Sequence, residues 1–436
     1  MTTELKLPLD REYISSFSKE MGEPSWLTEL RLQAVTVAET LPLPRPDKTK
    51  IAKWNFTQFS KHIVKSDDFN SLNDLPEAVK ALIDLEAADK NLYIQRNNRP
   101  AFLSLTKELQ DKGVIFTDIF TAAREHGDLL QQYLMKSGVK IDEHRLTALH
   151  AALINGGTFL YVPKNVEVAQ PIQAVFLHDN AEASLFNHVL VVAEANSSVT
   201  YVENYISTVE SATGIVNIVT EVLAKENARV QYGAVDNLTS GITTYVNRHG
   251  VTGRSARIDW ALGLMNDGNT ISENTTNLIG DGSIADSKTV VVGRGEQVQN
   301  FTTTIIHHGK NTEGNILKHG VMKDSATSIF NGIGKIEHGA SKSNAQQESR
   351  VLMLSEKARG DANPMLLIDE DDVIAGHAAS VGRVDPVQLY YLMSRGIPKK
   401  EAERLIIHGF LAPVVNALPI EGVKKQLVEV IERKVR

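Results

Sequence analysis

Cysteine is absent from all 436 positions of the sequence. Disulfide bonds, thiolate nucleophiles, and zinc or iron–sulfur sites built from this chain's own thiolates are therefore excluded. This absence limits the function more than any motif that is present.

Long apolar runs and a strong charge of one sign are also missing. No segment approaches the roughly 20 apolar residues that span a bilayer, and the first residues lack the basic and apolar pattern of a targeting signal. The 46 basic and 53 acidic residues give a net charge of −7, which offers no general attraction to phosphate backbones. We expect a cytoplasmic protein whose partners are neither membranes nor nucleic acids.

Common signatures of catalysis are missing as well. The sequence contains no GxxxxGK[ST] phosphate loop, no strand–GxGxxG–helix arrangement, no GxSxG and no HExxH. We therefore expect a protein that is not an enzyme. Any energy input must then come from a partner.

Helical patterns occupy the first third of the chain. Apolar residues recur at helical spacing near residue 30 and, after a proline-rich break, between about residues 75 and 153. Asn155 and the two glycines after it end the pattern. We predict an N-terminal helical domain over residues 1–155.

Between residue 158 and about residue 380, β-branched strands alternate with turns rich in Gly, Asn, Asp and Ser. A turn of small residues followed by a strand recurs at four places: Asn196, Asn227, Ser255 and Asp324. Val199, Val230 and Ile258, which follow the first three turns, lie 31 and 28 residues apart. This spacing suits one or two coils of a β-solenoid.

A β-sandwich also explains many short strands, but more than two hundred residues would require two sandwiches, and the sequence shows no boundary between them. We therefore predict a mainly β protein whose core, over residues 156–384, is a right-handed parallel β-helix. N-terminal and C-terminal α-helical domains flank this core.

Helices return in the last fifty residues. Asp385 followed by Pro386 is a typical helix start, and three apolar stripes, two of them ended by Gly396 and Gly409, predict three helices. We predict a C-terminal helical domain over residues 385–436. Its helices can bind a partner, cover the last apolar coil of the solenoid, or do both.

Histidines are the remaining candidates for a metal site in a chain without cysteine. Four of them lie in the later half of the strand region: His307, His308, His319 and His338. Turns stacked on successive coils can align these residues in one polar ladder. The alternative is that they are solvent-facing residues of turns and strand ends.

His377 lies between the last strand and the C-terminal helices, beside Gly376, Ala378 and Ala379. Such small neighbours leave the imidazole open to a partner, but they serve equally well for tight packing at the end of a solenoid. The residues alone favour the packing role. The acidic run at residues 369–372 is typical of a solvated loop and not of a cation site.

Four local motifs are distinctive. They are Pro24-Ser25-Trp26-Leu27 with Arg31, residues 157–163 followed by Pro171-Ile172, residues 376–383, and residues 391–397 with residues 405–410. Together they resemble the SufB/SufD family of the SufBCD iron–sulfur cluster assembly complex. The resemblance extends over nearly the whole chain and implies the same order of helical, β-helical and helical domains.

The family has two branches. SufB carries a functional cysteine and a glutamate near its equivalent of the His377 segment, whereas the second branch does not need them. This chain has no cysteine, and Ala378 follows His377, so it resembles the second branch. The resemblance changes the expected role of His377 from packing to binding a transient iron–sulfur cluster shared with SufB. No cofactor is expected to stay bound to this chain alone.

The same resemblance implies partners. The chain is expected to pair with SufB through the ends of the β-helices and to dock the SufC ATPase through the helices from about residue 385 onward. The residues expected to contact a partner are Tyr391, Leu392, Arg395, Leu405, His408 and Phe410. The implied function is a non-catalytic scaffold, on which ATP hydrolysis by SufC exposes the interface with SufB. An isolated chain can also form a homodimer through the surface meant for SufB.

Two other functions remain open. A β-solenoid enzyme acting on polysaccharide needs carboxylates and aromatic platforms, and an aromatic content of 6% makes such platforms scarce. A stand-alone metal-binding protein that uses the histidine ladder would carry iron or zinc without any partner.

Overall fold

The computed structural model describes residues 10–58, 61–64, 69, 71–83, 90–418 and 420–435. Its core is a β-solenoid of about eight turns, in which each coil contributes one strand to each of two sheets. Strand residues make up 41% and helical residues 25%, so the predicted mainly β fold is confirmed.

The described residues contain nineteen strands. These are β1 Leu92–Arg96, β2 Arg99–Ser104, β3 Ile115–Asp118, β4 Gly156–Val162, β5 Ile172–His178, β6 Leu185–Ala193, β7 Ser198–Ser207, β8 Ile215–Ala224, β9 Arg229–Asn237, β10 Thr243–Thr252, β11 Arg257–Leu264, β12 Thr270–Leu278, β13 Ile284–Gly293, β14 Val298–His307, β15 Glu313–Met322, β16 Thr327–Ile336, β17 Asn344–Met353, β18 Arg359–Ile368 and β19 Ile374–Arg383. The ten-stranded sheet has the order β19-β17-β15-β13-β11-β9-β7-β5-β1-β2, and the nine-stranded sheet has the order β18-β16-β14-β12-β10-β8-β6-β4-β3. Among the strands of the described residues, only the pairs β1–β2 and β3–β4 at the first end of the sheets are antiparallel.

Each repeat of the sequence corresponds to one coil of the solenoid, and one coil contains two strands. Val199 is paired with Val230, and Val230 with Ile258, in the ten-stranded sheet. In the turns before these strands, Asn196 and Asn227 adopt φ values of 60° and 58°, a left-handed conformation that asparagine tolerates. The side chains of these two turns also form a ladder, because Asn227 Nδ2 donates to Asn196 Oδ1 at 3.0 Å.

The fourth predicted repeat belongs to the other edge of the solenoid. Asp324, at φ 55°, precedes β16 of the nine-stranded sheet, whereas the other three turns precede strands of the ten-stranded sheet. Both edges use a left-handed turn of small residues. The sequence pattern does not contain the strand register, so it cannot show to which of the two edges a turn belongs.

The helices of the described chain are α1 Arg11–Glu20, α2 Ser25–Thr40, α3 Glu77–Lys80, α4 Lys107–Asp111, α5 Ile119–Glu125, α6 Gly127–Tyr133, α7 Arg145–Leu153, α8 Pro386–Ser394, α9 Lys399–Val415 and α10 Glu421–Val435. The prediction of helices alone before residue 155 is wrong in part, because β1, β2 and β3 extend the two sheets there. Short buried apolar runs such as β1 do not distinguish a strand from a helix by periodicity. The limits of the three domains stay a prediction. Among the described helices, none has the length and apolarity needed to cross a bilayer.

Three large apolar cores hold the layers together. The first fills the interior of the solenoid. The second joins the nine-stranded sheet to N-terminal helices that include α2 and α7, and the third joins the ten-stranded sheet to α9 and α10. The C-terminal helices therefore cover a flank of the solenoid. The structure does not show the alternative in which the described C-terminal helices cover the last coil.

Arg31 of the first motif fastens the N-terminal helices to the solenoid. Its fully buried guanidinium lies 2.6 Å from Glu23 Oε1 and donates to the carbonyl oxygens of Ala152 and Ile154 at 3.0 and 2.8 Å. These carbonyls lie at the end of α7, where a helix leaves backbone acceptors unpaired. Arg31 thus provides hydrogen-bond donors for the unpaired carbonyl oxygens at the end of α7, just before β4 begins.

Candidate functional site

The last coil of the solenoid, formed by β18 and β19, is uncovered. Each strand is outermost in its sheet, so its outer edge has no partner strand in the described chain. Large apolar side chains are exposed here: Leu367 by 47%, Ile368 by 37%, Ile374 by 65% and Val381 by 42%. A free strand edge beside exposed apolar residues is typical of a surface that another chain covers.

His377 lies on β19 and faces the interior of the solenoid. Its register partner on β17 is Gln347, and the next inward pair is Ser349 with Ala379. Gln347 and Ser349 are buried, whereas Gln346 is exposed, so the alternation along β17 assigns the first two to the interior. Parallel strands in register stack equivalent positions, and His377 therefore points inward too. It remains exposed because no further coil of the described chain lies above it.

Apolar residues flank His377 along its own strand at this open end. Ala375 and Ala379 are the neighbouring inward positions of β19. Neither side chain carries a polar group that could bind the imidazole. The arrangement leaves the imidazole open to a molecule that approaches the end of the solenoid.

The acidic run after β18 forms a turn. Glu370 accepts hydrogen bonds from the backbone N–H groups of Gly339 at 2.8 Å and of Asp371 at 3.1 Å. These bonds, with that to Gly339 the strongest, lower the pKa of the Glu370 carboxyl. The run thus orders a connection between coils, in agreement with the expected loop.

The four histidines of the predicted ladder do not come together. His307 lies inside the solenoid, His308 in an exposed turn, His319 on the outer face of the ten-stranded sheet and His338 in another exposed turn. His319 Nδ1–H donates to the carbonyl oxygen of Phe410 at 2.6 Å and so helps to dock α9. In the described residues no three His, Asp or Glu side chains are arranged to hold a metal ion. The ladder interpretation is therefore wrong.

The residues predicted to contact a partner fall into two groups. Four of them are exposed or half-buried on or beside α8 and α9: Tyr391, Leu392, Arg395 and Leu405. The other two contact the chain itself. The Phe410 ring stacks on His319 with 4.7 Å between the ring centroids, and His408 Nε2 lies 3.3 Å from Glu432 Oε1. These contacts hold α9 to the solenoid and to α10.

Polar groups in the interior of the solenoid were not predicted from the sequence. Lys318 is fully buried, and its Nζ donates to the carbonyl oxygens of Phe301 at 3.1 Å and Asn331 at 2.6 Å. Burial lowers the pKa of this amine well below its usual range. In the sequence, Lys318 follows the apolar Ile316 by two residues, which places both on the same face of a strand. This relation can be recognised only once the limits of β15 are known.

Comparisons with known proteins agree with this architecture. A family model described as "SUF system FeS cluster assembly, SufBD core domain" matches residues 176–410, and one described as "SufBD protein N-terminal region" matches residues 25–174. The iron–sulfur cluster assembly protein SufD of Bacillus subtilis is 72% identical over the full length of both chains. Iron–sulfur cluster assembly SufBD family proteins of Staphylococcus epidermidis and Staphylococcus aureus are 28% and 27% identical, over 95% of this chain and 90% of theirs.

The identity to a SufD protein confirms the expected resemblance to the second branch. The family models match the solenoid and the N-terminal part separately, and together they extend over most of the sequence. The chain therefore belongs to the SufB/SufD family of the SUF iron–sulfur cluster assembly system.

Proposed function

We propose that this protein is a non-catalytic scaffold of iron–sulfur cluster assembly that pairs with SufB and docks the SufC ATPase. The observation that carries the proposal is the uncovered last coil, where His377 faces the open interior beside two free strand edges. A solenoid needs a cover on its terminal coil. A second scaffold of the same fold would provide that cover and would bring its own cluster ligands to His377.

The exposed apolar residues of the last coil support the pairing. Ile374 and Val381 on β19 lie beside the free edge of the ten-stranded sheet, and Leu367 and Ile368 lie beside that of the nine-stranded sheet. Their burial contributes about 25 cal/mol per Å² of apolar surface, and a partner strand would satisfy the edge amides. In isolation, two copies of this chain can use the same surface to form a homodimer.

His377 supplies an imidazole to a cluster that is cargo and not a resident cofactor. A neutral imidazole binds iron through one ring nitrogen, and histidine replaces cysteine on one iron of Rieske centres. Because this chain contains no cysteine, thiolate ligands of the cluster come from SufB. A site shared between two chains also allows the cluster to leave when the chains move apart.

The C-terminal helices are the surface proposed for SufC. On α8, Val387 and Tyr390 are exposed by 72% and 73%, and Tyr391 by 56%. Leu405 on α9 is also exposed, by 42%. Large apolar and aromatic side chains in one exposed patch are typical of an interface. SufC hydrolyses ATP there, and its movement exposes the interface between the two scaffolds.

Co-expression of this chain with SufB and SufC tests the proposal. We expect His377→Ala to form the complex, as judged by size exclusion, but to lower the iron and sulfide content per complex by about tenfold or more. His338→Ala is the matched control, since that histidine lies in an exposed turn before β17 and is 92% exposed.

Either of two results would contradict the proposal. If His377→Ala assembles clusters as well as the wild type, the imidazole is not a ligand and the chemistry lies in SufB alone. If the wild-type chain forms no complex with SufB and SufC, the scaffold role itself is wrong.

A further inference from the structure

The loop that follows α2 crosses the outer face of the nine-stranded sheet near the open end. Asn300 on β14 fastens the backbone of this loop, because its Nδ2 donates to the carbonyl oxygen of Asp47 and to Thr49 Oγ1, both at 2.8 Å. From there the side chain of Lys48 extends to β18, where its Nζ donates to Asn363 Oδ1. The N-terminal part of the chain therefore places an ammonium group on the outermost strand of this sheet.

A ladder of three asparagines connects the two ends of this contact across three coils. Asn331 Nδ2 on β16 donates to Asn300 Oδ1 at 3.3 Å, and Asn363 Nδ2 on β18 donates to Asn331 Oδ1 at 3.0 Å. Asn300 and Asn331 are at most 2% exposed. Hydrogen-bond networks of buried side chains are rigid when their members are paired. The ladder therefore fixes the position of the acceptor that holds the Lys48 ammonium.

The charge of Lys48 is not balanced by an ion pair with a carboxylate of the described chain. Asp361 lies on the same strand as the acceptor, but it binds Arg359, whose Nη2 and Nε lie 2.6 and 3.0 Å from its two oxygens. The hydrogen bond from Arg359 is the main cause that lowers the pKa of the Asp361 carboxyl, and Lys48 contributes least. Residues 45–50 contain three basic side chains and one acidic side chain. A positive charge therefore borders the free edge of β18.

We infer that Lys48 is part of the surface that the second scaffold covers, and that this partner places a carboxylate opposite Asn363. A strand added to the free edge of β18 lies about 4.8 Å from it. The outward side chain of that strand next to Asn363 then lies beside the Lys48 ammonium, which has further N–H donors. Opposite charges on neighbouring strands stabilise their pairing and help to determine the register. The identity of the partner as SufB rests on the proposed function.

A second copy of this chain fits the surface less well. On β18 the carboxylate at an outward position is that of Asp361, which Arg359 already binds. On β19 the outward positions are those that alternate with His377, and none of them is acidic. They carry Ile374, Gly376, Ala378, Ser380 and Gly382. Charge at this edge therefore favours a different scaffold over a homodimer.

Zero-length carbodiimide crosslinking of the complex of this chain with SufB provides the test. The reagent joins an amine to a carboxylate in contact with it, and mass spectrometry of the digested complex identifies the joined residues. We expect Lys48 to be joined to an Asp or Glu of SufB. Lys164 is the matched control, because it is exposed in a turn after β4, near the opposite end of the solenoid, and should not be joined to SufB.

Charge reversal gives a second readout on the same complex. Lys48→Glu should raise the Kd for SufB by about fivefold at low ionic strength, and the difference should shrink as salt is added, because exposed charges are screened. Lys164→Glu makes the same change in charge and should leave the Kd unchanged. Both lysines are exposed, so both variants should fold. Asn363→Ala removes the acceptor that positions Lys48 and should raise the Kd by a smaller factor.

The outcomes separate this inference from the proposed function. If the complex forms, but Lys48 is joined to no carboxylate of SufB and Lys48→Glu binds as tightly as Lys164→Glu, the inference is wrong and the scaffold role stands. Crosslinks from Lys48 to a second copy of this chain, in place of SufB, also overturn the inference. If the wild-type chain forms no complex with SufB, both the inference and the proposed function fail.

Discussion

The two ends of the solenoid are built in opposite ways. At the first end the chain closes the interior with its own residues, from β1, α4, β3 and the loop between α4 and β3, all of them 5% exposed or less: Tyr93, Leu109, Val114 and Phe116. At the last end, β19 leaves His377 and Val381 exposed. Both terminal coils of a solenoid need a cover. The described residues cover the first terminal coil and leave the last one uncovered, so the structure does not show the alternative in which the C-terminal helices cap the last coil.

The largest effect should come from opening the closed end. The Phe116 ring packs edge-on against Tyr93 and Tyr201, at centroid distances of 6.3 and 6.4 Å. We expect Phe116→Ala to lower the free energy of unfolding by about 3–5 kcal/mol, because it leaves a cavity where the first coil is covered. Urea denaturation of the full-length chain measures the change.

Val381→Ala is the counterpart at the open end. Val381 occupies an inward position of β19 but is 42% exposed, so its truncation should change the free energy of unfolding by no more than about 0.5 kcal/mol. Similar losses in the two variants would show that the last coil is already covered within the isolated chain, and the contrast between the ends would disappear.

The sequence predicted the middle of the solenoid better than its open end. β6 and β14 are rich in β-branched and aromatic residues, the composition that predicts strands. β17, β18 and β19 show this composition less clearly, because their inward positions include small or polar residues such as Gly360, Ala362 and His377. No further coil packs on β18 and β19 within the described chain, so these strands lack the apolar pattern that marks a buried strand.

The direction of His377 in the candidate site depends on the register of strand pairing, which cannot be read from the sequence. The resemblance to a known family pointed to His377, but its inward direction follows from pairing with Gln347 on the previous coil of the same sheet. A shift of one residue would turn the imidazole to the outer face. For the same reason, the structure and not the sequence showed that the four other histidines lie far apart on different faces and turns of the solenoid.

Buried histidines also make the contact between the N-terminal helices and the nine-stranded sheet sensitive to acid. Burial beneath the N-terminal helices lowers the pKa of His62 and His144 to about 4, and that of His150 also falls well below its usual range. Each is neutral in the folded chain and takes up a proton on unfolding below its ordinary pKa of about 6.5. Their contribution to stability is therefore present above pH 6.5 and is lost as the pH falls toward 4.

His62→Gln should flatten this dependence. Between pH 6.5 and 4 the free energy of unfolding should fall less steeply than in the wild type, by about 1.4 kcal/mol per pH unit or about 3 kcal/mol in total. Glu143, whose pKa burial raises to about 6, acts in the opposite direction below pH 6, but it is common to both proteins and cancels in the difference. Urea denaturation at several pH values measures the slopes, and equal slopes would show that His62 is protonated to the same extent in the folded and unfolded chains.

The smallest effect on the free energy of unfolding should come from substitutions in the turns that link the two sheets. Asn227 in the middle of the solenoid and Lys342 before β17 adopt φ values of 58° and 61°. Their backbone N–H groups donate to carbonyl oxygens of the next turn, Arg254 at 2.7 Å and Asp372 at 2.5 Å. The two positions are therefore equivalent, but asparagine tolerates the left-handed conformation and lysine does so only at a cost in free energy.

Replacing Lys342 by glycine should remove that cost. We expect Lys342→Gly to raise the free energy of unfolding by about 1 kcal/mol, because glycine adopts positive φ without steric strain. Asn227→Gly should give no gain, since it also removes the hydrogen bond from Asn227 Nδ2 to Asn196 Oδ1. Urea denaturation of both variants, side by side, measures the difference. If Lys342→Gly instead lowers stability, the lysine side chain and not the backbone controls this turn, and the coils near the open end are then as specialised as those in the middle.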